Sequence, residues 1–258
     1  METISLWNKP NSTVMEYYPA NKKTHDTAIV IYPGGGYTNR AAHEGQGYAA
    51  FFNEQGYDAF VVEYRVSPNR FPLPLLDARR AVRYVRANAG KYGVNPNKIV
   101  VMGSSAGGHL AAMTSTYRKP VEGEGCDETD SFDCTPNACV LCYPVIHISN
   151  LAVTHIGSCV NLLGTDNLAV AQDVDPCLMA DAKTPPTFIW HTSDDNCVNI
   201  INSLRYGEAL KKQNLPFELH VFPNGRHGLG LSTGASPEEK HVAEWSRLLL
   251  RWLSYLGF

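Results

Sequence analysis

The chain reads as an α/β protein: a three-layer α/β/α sandwich built on a mostly parallel sheet. Three observations predict this. Short β-branched apolar runs alternate with longer amphipathic stretches along most of the 258 residues, the rhythm of strand–helix–strand units. Those runs are continuously apolar, as strands covered on both faces require. Glycine-rich turns follow the ends of such runs, where an open α/β sheet gathers its ligand chemistry.

Taken in order, Val14–Tyr18 is an N-terminal extended segment. Ala28–Tyr32 is the first buried strand; it ends in Pro33-Gly34-Gly35-Gly36-Tyr37, a path that glycine follows freely. Residues 44–55 read as a helix stopped by Gly56, and residues 59–64 as the next strand. Residues 75–86 carry apolar side chains at helical spacing, with Pro72 and Pro74 before their start. A β-branched strand from Lys98 runs into Gly103-Ser104-Ser105-Ala106-Gly107, and Ala111, Ala112 and Met113 continue as a helix. Residues 138–143 form a further strand. Two units close the chain: a strand over 187–191 with a helix over 200–213, and Phe217–Phe222 with helix Pro237–Leu256. The segment 144–186 breaks the rhythm and is expected to be irregular and cap-like, lying over the site. Neither a repeat nor a low-complexity stretch is visible, so one domain over 1–258 is expected.

Composition narrows the function classes. A formal net charge of −3 with no clustered basic residues leaves no electrostatic footprint for nucleic acid or an acidic membrane. The N-terminus, Met1 to Trp7, lacks a basic and then apolar leader, which predicts a cytoplasmic protein without a signal peptide. No apolar stretch approaches the ~20 residues that span a bilayer. The seven cysteines are expected to be reduced in that compartment. Cys139 and Cys142 are spaced like a metal pair, but on a strand such residues point to opposite faces and chelate poorly. Cys126 and Cys134 flank an acidic loop that reads as solvated; a disulfide or an ion clip there stays an alternative.

Chemistry concentrates just beyond the strand ends. The G-x-S-x-G run over residues 103–107, between strand and helix, has the form of a nucleophile elbow, and its register selects Ser105 over Ser104. The new helix aims free N–H groups at that serine, favouring a developing oxyanion. A serine hydroxyl needs a neighbouring base, and His227, between glycines after the last strand, is the candidate. The base needs a carboxylate to orient it; Asp194 and Asp195, after the 187–191 strand, compete for that role, and either one alternatively ties its own turn. Gly35, Gly36 and Ala106 are the expected oxyanion donors. Glu44 reads either as a dipole-complementing residue or as one supporting the glycine loop or substrate. His191 and His109 read as structural. Tyr37, Val145, Ile146, Cys197 and Val198, beside these groups in sequence, are expected to line the acyl side together with Glu44. No metal-ligand cluster of sensible spacing appears, so neither metal nor cofactor is expected.

On these residues the sequence resembles the α/β-hydrolase carboxylesterases, and among them bacterial acetyl esterases and acetyl xylan esterases, including bifunctional carbohydrate acetyl and feruloyl esterases. The resemblance covers nearly the whole chain. It rests on Tyr32 to Tyr37 with Glu44, on Leu76-Asp77-Ala78-Arg79-Arg80-Ala81, and on Gly103 to Leu110. It continues through Tyr143-Pro144-Val145-Ile146, Gly157-Ser158 with Asn161-Leu162-Leu163-Gly164, Pro185 to Phe188, Asp194 to Val198, and Gly225-Arg226-His227-Gly228. Similarity to the family's D-x-x-V pattern selects Asp195 as the acid. Two departures stand out: Asn199 occupies a position that is often proline, and Pro33 replaces the histidine of an H-G-G-G run.

The resemblance implies a metal-independent serine esterase that removes short acyl groups, acetyl foremost, from a carbohydrate such as an acetylated xylo-oligosaccharide. Its partner is then a small ester substrate, with no nucleic acid, no membrane and an unspecified oligomeric state. The rival readings are a general short-chain carboxylesterase and a non-catalytic binding protein on the same scaffold; an intact serine, histidine and aspartate set argues against the latter.

Overall fold

A computed structural model of the chain describes residues 1–7, 13–121, 123 and 127–258. Among these, the strands β1 (Glu2–Ser5), β2 (Val14–Tyr18), β3 (Ala28–Tyr32), β4 (Asp58–Val62), β5 (Ile99–Ser104), β6 (Ala138–Cys142), β7 (Thr187–Thr192) and β8 (Phe217–Phe222) make one sheet. Their order is β1-β2-β4-β3-β5-β6-β7-β8. The β1–β2 and β2–β4 pairs are antiparallel, and every pair from β4 to β8 is parallel.

The helices are α1 (Ala42–Glu54), α2 (Leu73–Ala87), α3 (Ala89–Tyr92), α4 (Ser105–Thr116), α5 (Ile156–Leu163), α6 (Leu168–Ala171), α7 (Pro176–Met179), α8 (Ile201–Lys212) and α9 (Pro237–Leu256). Because side chains alternate across a strand, each apolar run feeds two cores. Ala28, Val30, Tyr32, Ile99 and Val101 pack with residues of α2, α4 and α8, such as Val82, Leu110 and Tyr206. Ile29, Ile31, Val100 and Met102 pack with Phe52 of α1 and Trp245 and Leu249 of α9. The result is the expected three-layer sandwich. Cys139 joins the first core and Cys142 the second, on opposite faces as strand geometry requires. Cys126 of the acidic loop lies outside the described residues.

The longest helix shows local chemistry agreeing with the fold. Ser236 Oγ accepts the Glu239 amide at 3.1 Å, Pro237 opens the first turn, and Gly257 stops the helix in the left-handed region at φ 82°.

The segment expected to be irregular, 144–186, instead holds α5, α6, α7 and a 3₁₀ turn at Gln172–Val174. Each helix there is 8 residues or fewer, too short for a periodic signal to emerge from the sequence. Side chains of His155, Asn167 and Asp175 cap their starts, and Gly164 ends α5 at φ 75°. No helix among the described residues is long and apolar enough to cross a membrane.

Candidate active site

The turn from β5 into α4 is sharp. Ser104 is extended at φ −114°, and Ser105, the first residue of α4, is driven to φ 52°, a conformation a serine holds only when its surroundings impose it. Glycine makes the approach possible. A Cβ on Gly107 would strike the carbonyls of Tyr32 and Pro33 at the end of β3, and one on Gly103 would strike Gly107 itself. The neighbouring Ser104 points the other way and is fully buried, its Oγ 2.9 Å from the Tyr48 hydroxyl.

Three strand ends then converge. Ser105 Oγ lies 2.9 Å from Nε2 of His227, in the loop after β8. The other ring nitrogen, Nδ1, donates to Asp195 Oδ2 at 2.7 Å, and Asp195 follows β7. The second oxygen of Asp195 accepts the amides of Cys197 and Val198, each at 2.9 Å. His191 donates from Nε2 to the Val198 carbonyl at 3.0 Å, with Asp195 Oδ2 at 3.3 Å, while its Nδ1 accepts from Ser203 Oγ at 2.8 Å. Burial alone would raise the Asp195 carboxyl. The hydrogen bonds from His191 and His227, the His227 charge and the Val198 amide outweigh it and hold the group well below the ordinary carboxylate range.

Asp194 does something else. It accepts the Gly225 amide at 2.7 Å and the Asn224 side-chain amide at 3.2 Å. With Thr192 Oγ1 donating to the Gly225 carbonyl at 2.7 Å, it lashes the loop carrying His227 to the end of β7.

Facing Ser105 is the glycine loop between β3 and α1. Gly34 donates its amide to Glu44 Oε2 at 2.8 Å, and a Cβ on Gly34 would come 3.1 Å from the Ser105 Cβ. Gly35 and Gly36 have φ 134° and 62°, and their amides donate to no group among the described residues. The Ala106 amide lies in the first turn of α4, where a helix offers no internal acceptor.

Sequence reasoning missed two supports. Tyr143 sits immediately beyond β6 at φ 37°, so the rule applied to other strand ends would have found it. Its hydroxyl donates to Glu44 Oε1 at 2.6 Å and accepts the Gly230 amide at 2.9 Å. Its ring meets the His227 imidazole edge-on, with centroids 5.0 Å apart. Asn161 of α5 donates to the Gly36 carbonyl at 2.8 Å and to Thr38 Oγ1 at 2.7 Å, holding α5 on the glycine loop. Only a contact across the fold could reveal it.

The expected acyl-side residues need correcting. Val145 and Ile146 are 0% exposed: after β6 the chain dives under the elbow, where the Val145 amide donates to the Ser105 carbonyl at 3.0 Å and Ile146 to Asn202 at 3.0 Å. Tyr37 turns inward, its hydroxyl 2.7 Å from His109 Nδ1, and Val198 is buried beside Asp195. None of these presents surface to a ligand. Glu44 is buried too and supports the glycine loop, whereas Cys197 is exposed. Among the described residues, His147, Asp175 and Cys177 bring ligand-type atoms within 4.8 Å of one another. Asp175 is already engaged there by His147, by Ser149 and by the Cys177 amide.

A model of the BD-FAE family matches residues 16–210. The chain belongs to the BD-FAE family. Its fold matches that of an acetyl ester-xyloside bifunctional hydrolase from Caldicellulosiruptor lactoaceticus, with a TM-score of 0.90 and 40% identity over 100% of this chain and 97% of that one. In sequence, this BD-FAE member is 35% identical to endo-1,4-beta-xylanase B of Butyrivibrio fibrisolvens over 82% of its length. It is 32% identical to an acetylxylan esterase of Xylanibacter ruminicola over 90%. It spans 34% and 46% of the lengths of those two proteins. The α/β-hydrolase fold expected from the sequence is the fold of this BD-FAE chain.

Proposed function

We propose that the chain is a serine esterase releasing short acyl groups, acetyl foremost, from carbohydrate esters such as acetylated xylo-oligosaccharides. The observation that carries this reading is the continuous chain Ser105 Oγ–His227 Nε2 at 2.9 Å and His227 Nδ1–Asp195 Oδ2 at 2.7 Å. Membership of the BD-FAE family, and relatives named for acetyl ester and acetylxylan hydrolysis, support the substrate class.

The chemistry follows from the geometry. Ser105 Oγ attacks the ester carbonyl as His227 Nε2 takes its proton, and Asp195, ionised, steadies the imidazolium. The carbonyl oxygen becomes an oxyanion, which the amides of Gly35, Gly36 and Ala106 stabilise as hydrogen-bond donors in this reading. When the tetrahedral intermediate collapses, His227 returns the proton to the departing alcohol. Water, deprotonated by the same imidazole, then attacks the acyl-serine, releasing the carboxylic acid and restoring the serine.

The test is hydrolysis of acetylated xylo-oligosaccharides beside p-nitrophenyl acetate, butyrate and octanoate. Preference for the sugar acetates, with turnover falling steeply beyond butyrate, is the expected result. Strong octanoate turnover with no activity on sugar acetates would replace this reading by a general carboxylesterase.

A further inference from the structure

The loop that carries His227 is held at Gly225 before it and at Gly230 after it. Asp194 and Thr192 take the amide and carbonyl of Gly225; Tyr143 and Trp245 take those of Gly230. Between them, directly after His227, the chain passes through Gly228 at φ 74°, where a Cβ would meet nothing within 4 Å. Glycine in open space gives that backbone freedom to turn. The Gly228 carbonyl has one partner among the described residues, Nε2 of His43 at 3.0 Å. A carbonyl only accepts, so the proton is on His43 Nε2, and the ring donates whether neutral or charged.

His43 is well placed to resist that turning. It is the second residue of α1, whose start is fastened to the glycine loop by the Ala41 amide on the Gly34 carbonyl at 2.9 Å. Its neighbour Glu44 holds the Gly34 amide and the Tyr143 hydroxyl, and Glu44 Oε1 lies 3.7 Å from His43 Nε2. The turn after His227 closes on the His43 ring: a Cβ on Gly230, at φ 57°, would come 2.9 Å from its Cδ2. Two consecutive residues of α1 thus reach two loops of the site, His43 the histidine loop and Glu44 the glycine loop. His227 has to keep Nε2 on Ser105 and Nδ1 on Asp195 at once. Misplacing a reacting group by about 1 Å can cost on the order of a hundredfold in rate.

We infer that His43 is a positioning residue: its Nε2–H latches the Gly228 carbonyl and keeps the His227 imidazole aligned between Ser105 and Asp195. The inference rests on the serine esterase reading.

The measurement is steady-state kinetics on p-nitrophenyl acetate, with thermal unfolding, for the wild type, His43→Leu and His43→Gln. Leucine keeps bulk against Gly230 and removes the donor; glutamine returns an N–H near the lost Nε2. In His43→Leu kcat is expected to fall about five- to tenfold, the worth of one neutral hydrogen bond, with KM unchanged. The unfolding midpoint should stay put, because the His43 side chain is 57% exposed. His43→Gln is expected to regain most of the lost kcat. An unchanged kcat in His43→Leu, a raised KM in place of the kcat loss, or an equal loss in both variants overturns the inference and leaves the esterase reading standing. Wild-type turnover in Ser105→Ala defeats the esterase reading, and this inference with it.

Discussion

The hydroxyl of Tyr143 and the carboxylate of Glu44, 99 residues apart in the chain, are joined at 2.6 Å. Through that bond the end of β6 is tied to the first turn of α1. The same carboxylate holds Gly34, and the same hydroxyl holds Gly230, three residues past His227. One buried pair thus sets the glycine loop and the histidine loop relative to each other. Replacing Glu44 by Ala leaves the Gly34 amide and the Tyr143 hydroxyl buried without their acceptor, a loss of about 1–3 kcal/mol for each such group. We expect kcat to fall at least about tenfold, part of what an oxyanion donor supplies, with KM little changed. Steady-state kinetics decide it, and an unchanged kcat would mean the pair is structural only.

Ser105→Ala is expected to abolish turnover, with a loss on the order of a million-fold by analogy with other serine hydrolases, while thermal unfolding stays near wild type. Ser104→Ala should keep most activity and lose about 1 kcal/mol of stability, because it removes the bond to Tyr48 and leaves the elbow intact. Activity surviving in Ser105→Ala and vanishing in Ser104→Ala would put the elbow in the wrong register.

The two neighbouring aspartates separate by what they hold. Asp195→Asn disturbs the tautomer and charge of the His227 system and should cost about 10⁴ in kcat. Asp194→Asn loosens a loop tied also by Thr192 and Ser193, so a loss of no more than about tenfold is expected from the modest worth of one hydrogen bond. Kinetics of both variants in parallel provide the check, and the opposite ranking would reverse the assignment.

Much of this arrangement was legible because it depends on short-range sequence chemistry. The strand Ala28–Tyr32 and the helix Pro237–Leu256 carry long apolar runs, a proline start and a glycine stop, and they form over those same residues. Ser105, Asp195 and His227 each follow a strand end, so a parallel sheet had to bring them to one edge. The acyl-side reading of Val145 and Ile146 failed for a physical reason. Val145 and Ile146 are apolar and adjoin a strand end, yet apolarity does not tell whether a side chain faces a cleft or the core. Strand β1 escaped notice because it is a short edge strand with only Ile4 buried. Asn161 acts through bonds to Gly36 and Thr38 of the distant glycine loop, which no local pattern encodes.

Stability should respond to His109. It is 0% exposed, and burial pulls its imidazole down from 6.5 to about 4, against smaller opposing effects of the Val174 carbonyl and Asp175. In the unfolded chain the ring takes up a proton near pH 6.5, while the folded one waits until about pH 4. Protons therefore favour the unfolded state in that window, and stability falls as pH drops through it. Between pH 7 and 5 the contribution is roughly 1–2 kcal/mol. Urea unfolding at both pH values should show this drop shrinking in His109→Gln; an equal drop in both proteins would contradict the account.

His109 also gives Tyr37 its role. Its Nε2–H donates to the Val174 carbonyl at 2.7 Å, so its Nδ1 must accept, and the Tyr37 hydroxyl is the donor at 2.7 Å. Tyr37 follows Gly36 directly, is held at φ 59°, and accepts the Ser67 amide on its carbonyl at 2.8 Å. The glycine loop is therefore pinned at its far end to α4 and, through Val174, to the 3₁₀ turn at Gln172–Val174. Tyr37→Phe keeps the ring in the core and the backbone bond to Ser67, and removes only the hydroxyl. It leaves a buried ring nitrogen without its donor, a cost of about 1–3 kcal/mol. Because the Gly35 and Gly36 amides then lose one of their anchors, kcat on p-nitrophenyl acetate should fall by about three- to tenfold, a fraction of a full oxyanion contact. KM should hardly move, since the ring touches no open surface. A raised KM with unchanged kcat would instead make Tyr37 a substrate contact and restore the expectation drawn from the sequence.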